Sequence, residues 1–282
     1  MRGYVSTGWG QLHYRRAGPE PGDADVVVVL LHESPRSSVV YEPVLGRLGE
    51  FAAVYAFDTP GFGESDSAPD GASLADYAET LVQAIDALGI GDFVPVGMKT
   101  GSSLATAIAT AVAGSGRVRR MVLYGLSDPA TRNSEYWARH WAPPLEVTDD
   151  GAVFRQLWDK NVGIYGTECP DQVAQCVAET VLNLDRYNSI YPAVFSGHRK
   201  TWHDNLALIA DGVAVTVLEP TSAQMTPDTP IEFVHVPGTR VVQMPVNGQF
   251  AVRAPEAFVA AVRTAVCEAA ACEATVCEAA VQ

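Results

Sequence analysis

The chain has 282 residues, 48% of them hydrophobic, with a formal net charge of −14, so it can fill one large core and disorder is not its default state. The acidic balance, with no run of Lys or Arg, repels polyanions and excludes a nucleic-acid partner. Residues 1–9 lack the apolar region of a signal peptide and the longest aliphatic run, Val26 to Leu31, is too short for a bilayer, so no membrane partner and a cytoplasmic location are expected.

In chain order, strand-like runs fall at Leu12 to Arg15, Val26 to Leu31, Ala53 to Phe57, Phe93 to Gly97 and Val118 to Tyr124. They alternate with helical stretches, the pattern of a mostly parallel sheet in an α/β protein. The run Val26-Val27-Val28-Val29-Leu30-Leu31 has no polar alternation, as in a central strand covered on both faces. Between Ser73 and Leu88, Leu74, Tyr77, Leu81, Ile85 and Leu88 share one helical face, with Ser73 as N-cap and Gly89 as terminator. Ser103 to Ala113 is small and apolar on every side, which suits a helix buried against the sheet.

From about residue 127 to residue 211 the sequence becomes irregular, helical and aromatic, with Trp137, Trp141, Trp158, Tyr165, Tyr187, Tyr191 and Trp202. It is expected to be an inserted helical cap, residues 127–211, within a core made of 1–126 and 212–266. Strands resume at Val213 to Leu218 and Arg240 to Met244, and an amphipathic helix begins at Pro255-Glu256. Residues 267–282 are a low-complexity Cys/Glu/Ala tail of near-identical pentads carrying Cys267, Cys272 and Cys277. Five-residue steps rotate a helix by about 140° beyond a full turn, so these thiols do not share a face and make a poor metal site. Five cysteines in all give no disulfide framework, and the six histidines show no ligand spacing, so no metal and no cofactor are implied.

Three motifs carry a family likeness: Leu30-Leu31-His32-Glu33-Ser34-Pro35, then Asp58-Thr59-Pro60-Gly61-Phe62-Gly63-Glu64-Ser65-Asp66, then Val96-Gly97-Met98-Lys99-Thr100-Gly101. Together with the ending Pro245-Val246-Asn247-Gly248-Gln249-Phe250 and Arg253-Ala254-Pro255-Glu256-Ala257-Phe258, the chain resembles the α/β-hydrolase superfamily from about Gly10 to Val266. The resemblance implies that fold, with a helical cap. It also implies a strand-to-helix elbow that projects a nucleophilic serine, an acid after the strand at Val213 to Leu218, and a histidine base in the last loop. Here the elbow apex is Lys99 and the base position is Gln249. Ser222 holds the acid's place, with Glu219, Asp228 and Asp128 as other candidates. The resemblance gives Ser34 and Thr100 as oxyanion-hole positions through their backbone amides.

Gln249 cannot titrate, but its carboxamide can donate and accept hydrogen bonds and so position a substrate. Lys99 has two chemistries open to it: a neutral amine that forms an imine or acts as a base, or a cation that stabilises a developing enolate or carboxylate. Glu33, which the resemblance brings close to the elbow, decides between them, because a nearby carboxylate favours the ammonium whereas burial opposes it. Lysine is scarce, three residues against sixteen arginines. The expected catalytic set is therefore Lys99, Glu33 and Gln249, with His32, Ser34, Thr100, Trp137, Trp141 and Trp158 around a small-molecule substrate. The expected activity is a non-hydrolytic one on a small carbonyl compound: C–C lyase, decarboxylation, isomerisation or cyclisation in specialised metabolism. A ligand-binding pseudoenzyme and a hydrolase with relocated groups, such as Ser102 or Ser103, are the alternatives.

Overall fold

The aliphatic run forms strand β3 (Val27–Leu31), buried along its whole length because it has a parallel neighbour on each side and helices above and below. Those neighbours are β4 (Ala53–Phe57) and β5 (Val94–Met98), equally buried. The computed structural model describes residues 1–126, 136–137, 140–220, 224–225, 230–231, 235–246 and 248–279, with 224–225, 230–231 and 268–279 as backbone alone. The acid candidates Ser222, Asp228 and Asp128 and the expected first residues of the cap lie outside them.

Beyond β5 the parallel sheet continues through β6 (Arg120–Tyr124), β7 (Ala214–Pro220) and β10 (Arg240–Met244). At the opposite edge, β1 (Arg2–Thr7) and β2 (Gly10–Ala17) form an antiparallel hairpin that pairs with β4, giving eight strands in the order β1-β2-β4-β3-β5-β6-β7-β10. A separate two-stranded ribbon joins β8 (Gln224–Met225) and β9 (Pro230–Ile231). The sheet is the mostly parallel one read from the sequence.

Helices cover both faces. On one lie α1 (Glu42–Leu48), α7 (Phe250–Arg253) and α8 (Pro255–Ala279); on the other lie α2 (Leu74–Ala87), α3 (Thr100–Ala111) and α6 (Tyr191–Ala210). Helix α2 starts in a capping box: Ser73 Oγ accepts from the Asp76 amide and the Asp76 carboxylate accepts from the Ser73 amide at 2.8 Å. Gly89, just past its end, has φ +68. Helix α3 begins at Thr100 rather than at Ser103, because the chain turns from β5 into the helix over the single residue Lys99. Helix α8 runs on through the pentads to Ala279.

Between β6 and β7 the chain forms α4 (Ala152–Tyr165), α5 (Pro170–Leu182) and α6, which lie across the C-terminal ends of β3 and β5. Two polar ties hold them there. The Tyr191 hydroxyl donates to the Ser34 carbonyl at 2.7 Å, and fully buried Arg36 pairs with Glu179 and donates to Gln175 at 2.9 Å. Trp202 packs on the main core rather than under these helices.

Asp58, after β4, is the hub that fixes the neighbouring loops. Its carboxylate accepts from the Ser38 amide at 2.6 Å, the Glu64 amide at 2.9 Å and His13 Nδ1 at 2.8 Å. Burial pushes the carboxyl upward, but the hydrogen bonds from His13 and these amides outweigh it and hold it down at about 2. Gly63, at φ +55, has no room for a side chain: a Cβ would sit 2.1 Å from Asp58 Oδ2. A carboxyl held below its ordinary value stabilises the fold above that value and loses this contribution as pH falls toward about 2. Asp58→Asn is therefore expected to lower unfolding stability by roughly 2 kcal/mol at neutral pH. It should also flatten the acid limb between about pH 4 and pH 2, measured by urea titrations across that range.

Candidate active site

The turn from β5 into α3 is possible only because two glycines flank it. A Cβ on Gly97 would meet the Gly101 carbonyl oxygen at 2.3 Å, and one on Gly101 would meet the Leu31 carbonyl oxygen at 2.1 Å. Lys99 at the apex takes φ +51, ψ −108, and Gln249 in the loop after β10 takes φ +48. Among the described residues these are the two non-glycine residues with positive φ, and such strain concentrates at functional sites. The Lys99 amide donates to the Tyr124 carbonyl at 2.6 Å. Ser102 pins the turn to β6: its hydroxyl lies 2.7 Å from the carbonyls of both Gly97 and Tyr124 and accepts from the Tyr124 amide.

Lys99 Nζ lies 2.6 Å from Glu33 Oε2, and Gln249 Nε2 donates to Glu33 Oε1 at 3.1 Å. The three residues expected to act together are thus brought into one chain of contacts. Burial alone pushes the Glu33 carboxyl upward, but Lys99, then Arg36 and Gln249, more than reverse this and hold it below the ordinary carboxylate range. Glu33 is accordingly an ionised, buried acceptor. The Gln249 carboxamide also lies against the Tyr165 hydroxyl, which burial keeps a neutral phenol, and the Lys99 ammonium sits 5.5 Å over the Tyr165 ring.

Two expectations change at the loop after β3. The Ser34 amide is not directed at the pocket: it donates to Thr100 Oγ1 at 2.7 Å, while the Thr100 hydroxyl donates to Ser34 Oγ at 3.1 Å. Thr100 thus fills with its own oxygen the place where an oxyanion would accept that N–H. His32, expected against substrate, is fully buried, with Nε2 accepting from the Thr59 amide at 2.9 Å and Nδ1 3.1 Å from the Glu33 carbonyl. Burial pushes its imidazole pKa down, so it stays neutral and braces the loop rather than reaching the pocket.

Above Lys99 lies a pocket partly open to solvent. Ser34, Lys99, Thr100 and Ser103 form its floor, and Trp137, Trp141 and helices α4 to α6 form its walls. Trp158 is not among the lining residues; it packs against Ile164, Tyr165, Val173 and Cys176. Glu33 and Gln249 do not line the pocket either. They sit behind Lys99, beside a smaller cavity shared with Tyr124 and Phe250. Sequence reasoning missed Lys160, Asn161 and Thr180, which line the pocket together with His198 from helices whose sequence carries no motif. Of the acid candidates, Glu219 pairs with His235 at 2.7 Å and accepts from Gln243. Among the described residues no group of three or more His, Cys, Asp and Glu could hold a metal ion, and no helix is long and apolar enough to cross a membrane.

A family model described as "alpha/beta hydrolase fold" matches residues 26–161. Solved structures resemble the chain over nearly its full length. An enol-lactonase from Burkholderia xenovorans LB400 is 18% identical, with a TM-score of 0.72 over 94% of this chain and 100% of its own. An esterase from Rhodococcus sp. ECU1013 is 22% identical, with a TM-score of 0.69 over 93% and 97%. An N-formylmaleamic acid deformylase from Pseudomonas putida S16 is 18% identical, with a TM-score of 0.63 over 93% and 99%. At these identities the likeness speaks for the fold alone. With the sheet order, the elbow between β5 and α3 and the matched family model, the chain has the α/β-hydrolase fold.

Proposed function

We propose that the chain is a non-hydrolytic enzyme that binds a small carbonyl compound above Lys99 and stabilises negative charge developing on its oxygen. The observation that carries this is the 2.6 Å contact between Lys99 Nζ and Glu33 Oε2, at the apex where the fold places a nucleophile. An imine needs a neutral amine, but an ionised Glu33 beside Lys99 favours the ion pair, so the cationic role is preferred over the Schiff base. A fixed ammonium on the floor of an aromatic pocket polarises a carbonyl without reorganising water, which favours enolate formation. The reactions compatible with that are C–C cleavage, decarboxylation, isomerisation and cyclisation. Acyl transfer by the fold's usual route is disfavoured, since Gln249 cannot shuttle a proton and the Ser34 amide is occupied by Thr100.

A second reading, a hydrolase with relocated groups, has one observation in its favour: Ser103 and His198 line the same pocket. Ser102 is unavailable, being fully buried and bound to backbone. A fluorophosphonate probe is expected to leave every serine unlabelled, and p-nitrophenyl acetate is expected to turn over no faster than in buffer. A stoichiometric label on Ser103, with ester turnover lost in Ser103→Ala, would select the hydrolase.

The cationic role is tested by deuterium exchange at the carbon next to the ketone of 2-oxo and 3-oxo acids, where buffer base takes the proton and Lys99 stabilises the enolate, followed by NMR in heavy water. Removing an oxyanion donor costs about 10²–10³-fold, so Lys99→Met should lose the acceleration by that factor, whereas Lys99→Arg keeps a part of it. An adduct at Lys99 trapped by borohydride, with an inactive Arg variant, would replace the cationic role by imine chemistry. Saturable binding with no exchange or other turnover would mark a pseudoenzyme.

The same contact predicts energetic coupling. Breaking one partner of a buried ion pair costs about 3–5 kcal/mol, while replacing both is nearly neutral. Glu33→Gln alone is expected to destabilise the chain more than the double variant Glu33→Gln, Lys99→Met, a non-additivity visible in urea unfolding; additive effects would remove the pair from the mechanism.

A further inference from the structure

Lys160 is a second amine in the pocket, and its situation is unlike that of Lys99. It projects from α4 into the same space, with Nζ donating to the Trp141 carbonyl at 2.6 Å and lying 5.1 Å over the Trp141 ring. Among the described residues no carboxylate pairs with it, and none lines the pocket. Among the described residues the titratable neighbour acting on its charge is Cys176, whose thiol burial pushes up to about 12 and so keeps neutral. Lys99 has its charge compensated by Glu33; Lys160 has a carbonyl dipole and a π-face, and its burial works against the ammonium.

We propose that Lys160 is the anion-binding residue of the pocket, and that the substrate is a planar organic acid whose anionic group supplies a counter-charge that no described residue gives Lys160. This rests on the pocket above Lys99 being the substrate site, as proposed above. The walls fit such a ligand: Trp137, Trp141, Tyr187 and Tyr191 offer aromatic surface for a flat skeleton, and Asn161 and Thr180 offer neutral hydrogen bonds. A half-buried cation facing a largely apolar pocket is costly until an anion arrives. Binding of the acid relieves that cost, and a neutral analogue leaves it in place. In an acidic protein with a net charge of −14, a pocket wall with no carboxylate among the described residues favours entry of an anion.

The test uses two probes with the same aromatic core, anionic 1-anilinonaphthalene-8-sulfonate and neutral N-phenyl-1-naphthylamine, titrated by fluorescence against the full chain. Wild type is expected to prefer the anion, and Lys160→Met to lose about tenfold in anion affinity, with the neutral probe within about twofold. Lys160→Arg should keep most of the preference. Lys160→Gln, which can still donate to the Trp141 carbonyl, carries the same expectation as Met should that variant fail to melt cooperatively. The double variant Lys99→Met, Glu33→Gln, which removes the compensated pair, should retain the preference. An anion preference unchanged in Lys160→Met and Lys160→Gln, or both probes weakened together in them, overturns the assignment. So does a preference lost in the double variant alone. Failure of the Lys99 role reads out separately, as exchange next to the ketone that survives Lys99→Met.

Discussion

Two opposite charges held 2.6 Å apart where the parallel strands end, on Lys99 and Glu33, set the terms for everything around them. Neither charge could be buried alone, since an uncompensated ion in a protein interior costs several kcal/mol. Paired, they tie the loop after β3 to the elbow after β5, and Gln249 draws in the loop after β10 through the second carboxylate oxygen. The parallel sheet makes this meeting possible. Its strands run in one direction, so their C-terminal loops converge at one edge, where ligands bind in open α/β sheets. Glu33 is buried and Lys99 is partly open to the pocket, so the pair presents its positive member to a ligand and hides its negative one.

Much of this was legible in the sequence, and the reasons differ from element to element. Strands β3 and β4 stand out because burial on both faces leaves only apolar residues, and α2 stands out because Ser73 and Asp76 can cap each other only there. Strand β1 and helix α1 were not read: β1 is an edge strand with mixed exposure, and α1 is only 7 residues long and carries a proline and a glycine. Lys99, Glu33 and Gln249 were found by position within motifs, because tight turns constrain spacing. Lys160 and Tyr165 were not singled out for the site. The helices around them reach the sheet-end loops through contacts such as Arg36 with Glu179 of α5, 143 residues apart in the chain, and periodicity carries no record of such pairings.

His32 and Trp158 show the opposite failure. Each is the right type of residue in the right segment, yet each turns away from the pocket. The reason is competition: the Thr59 amide needs a buried acceptor and takes His32 Nε2, and the cluster around Val173 takes Trp158. Side-chain direction is settled by these local demands, which act across separate segments, and residue type alone does not reveal it.

The hydroxyl of Thr100 bears on how this site could be re-engineered. Lys99→Ser with Gln249→His would restore the lettering of a hydrolase without its electrostatics. The Ser34 amide would still be spent on Thr100 Oγ1, and a tetrahedral intermediate would form with one of its two hydrogen-bond donors already taken. Glu33 would remain beside the new serine as a buried negative charge, opposing the oxyanion that acyl transfer must create. Building the usual serine-histidine hydrolase site here therefore requires at least four positions, 33, 99, 100 and 249, to change together. Intermediates on that route pass through a site that serves neither chemistry.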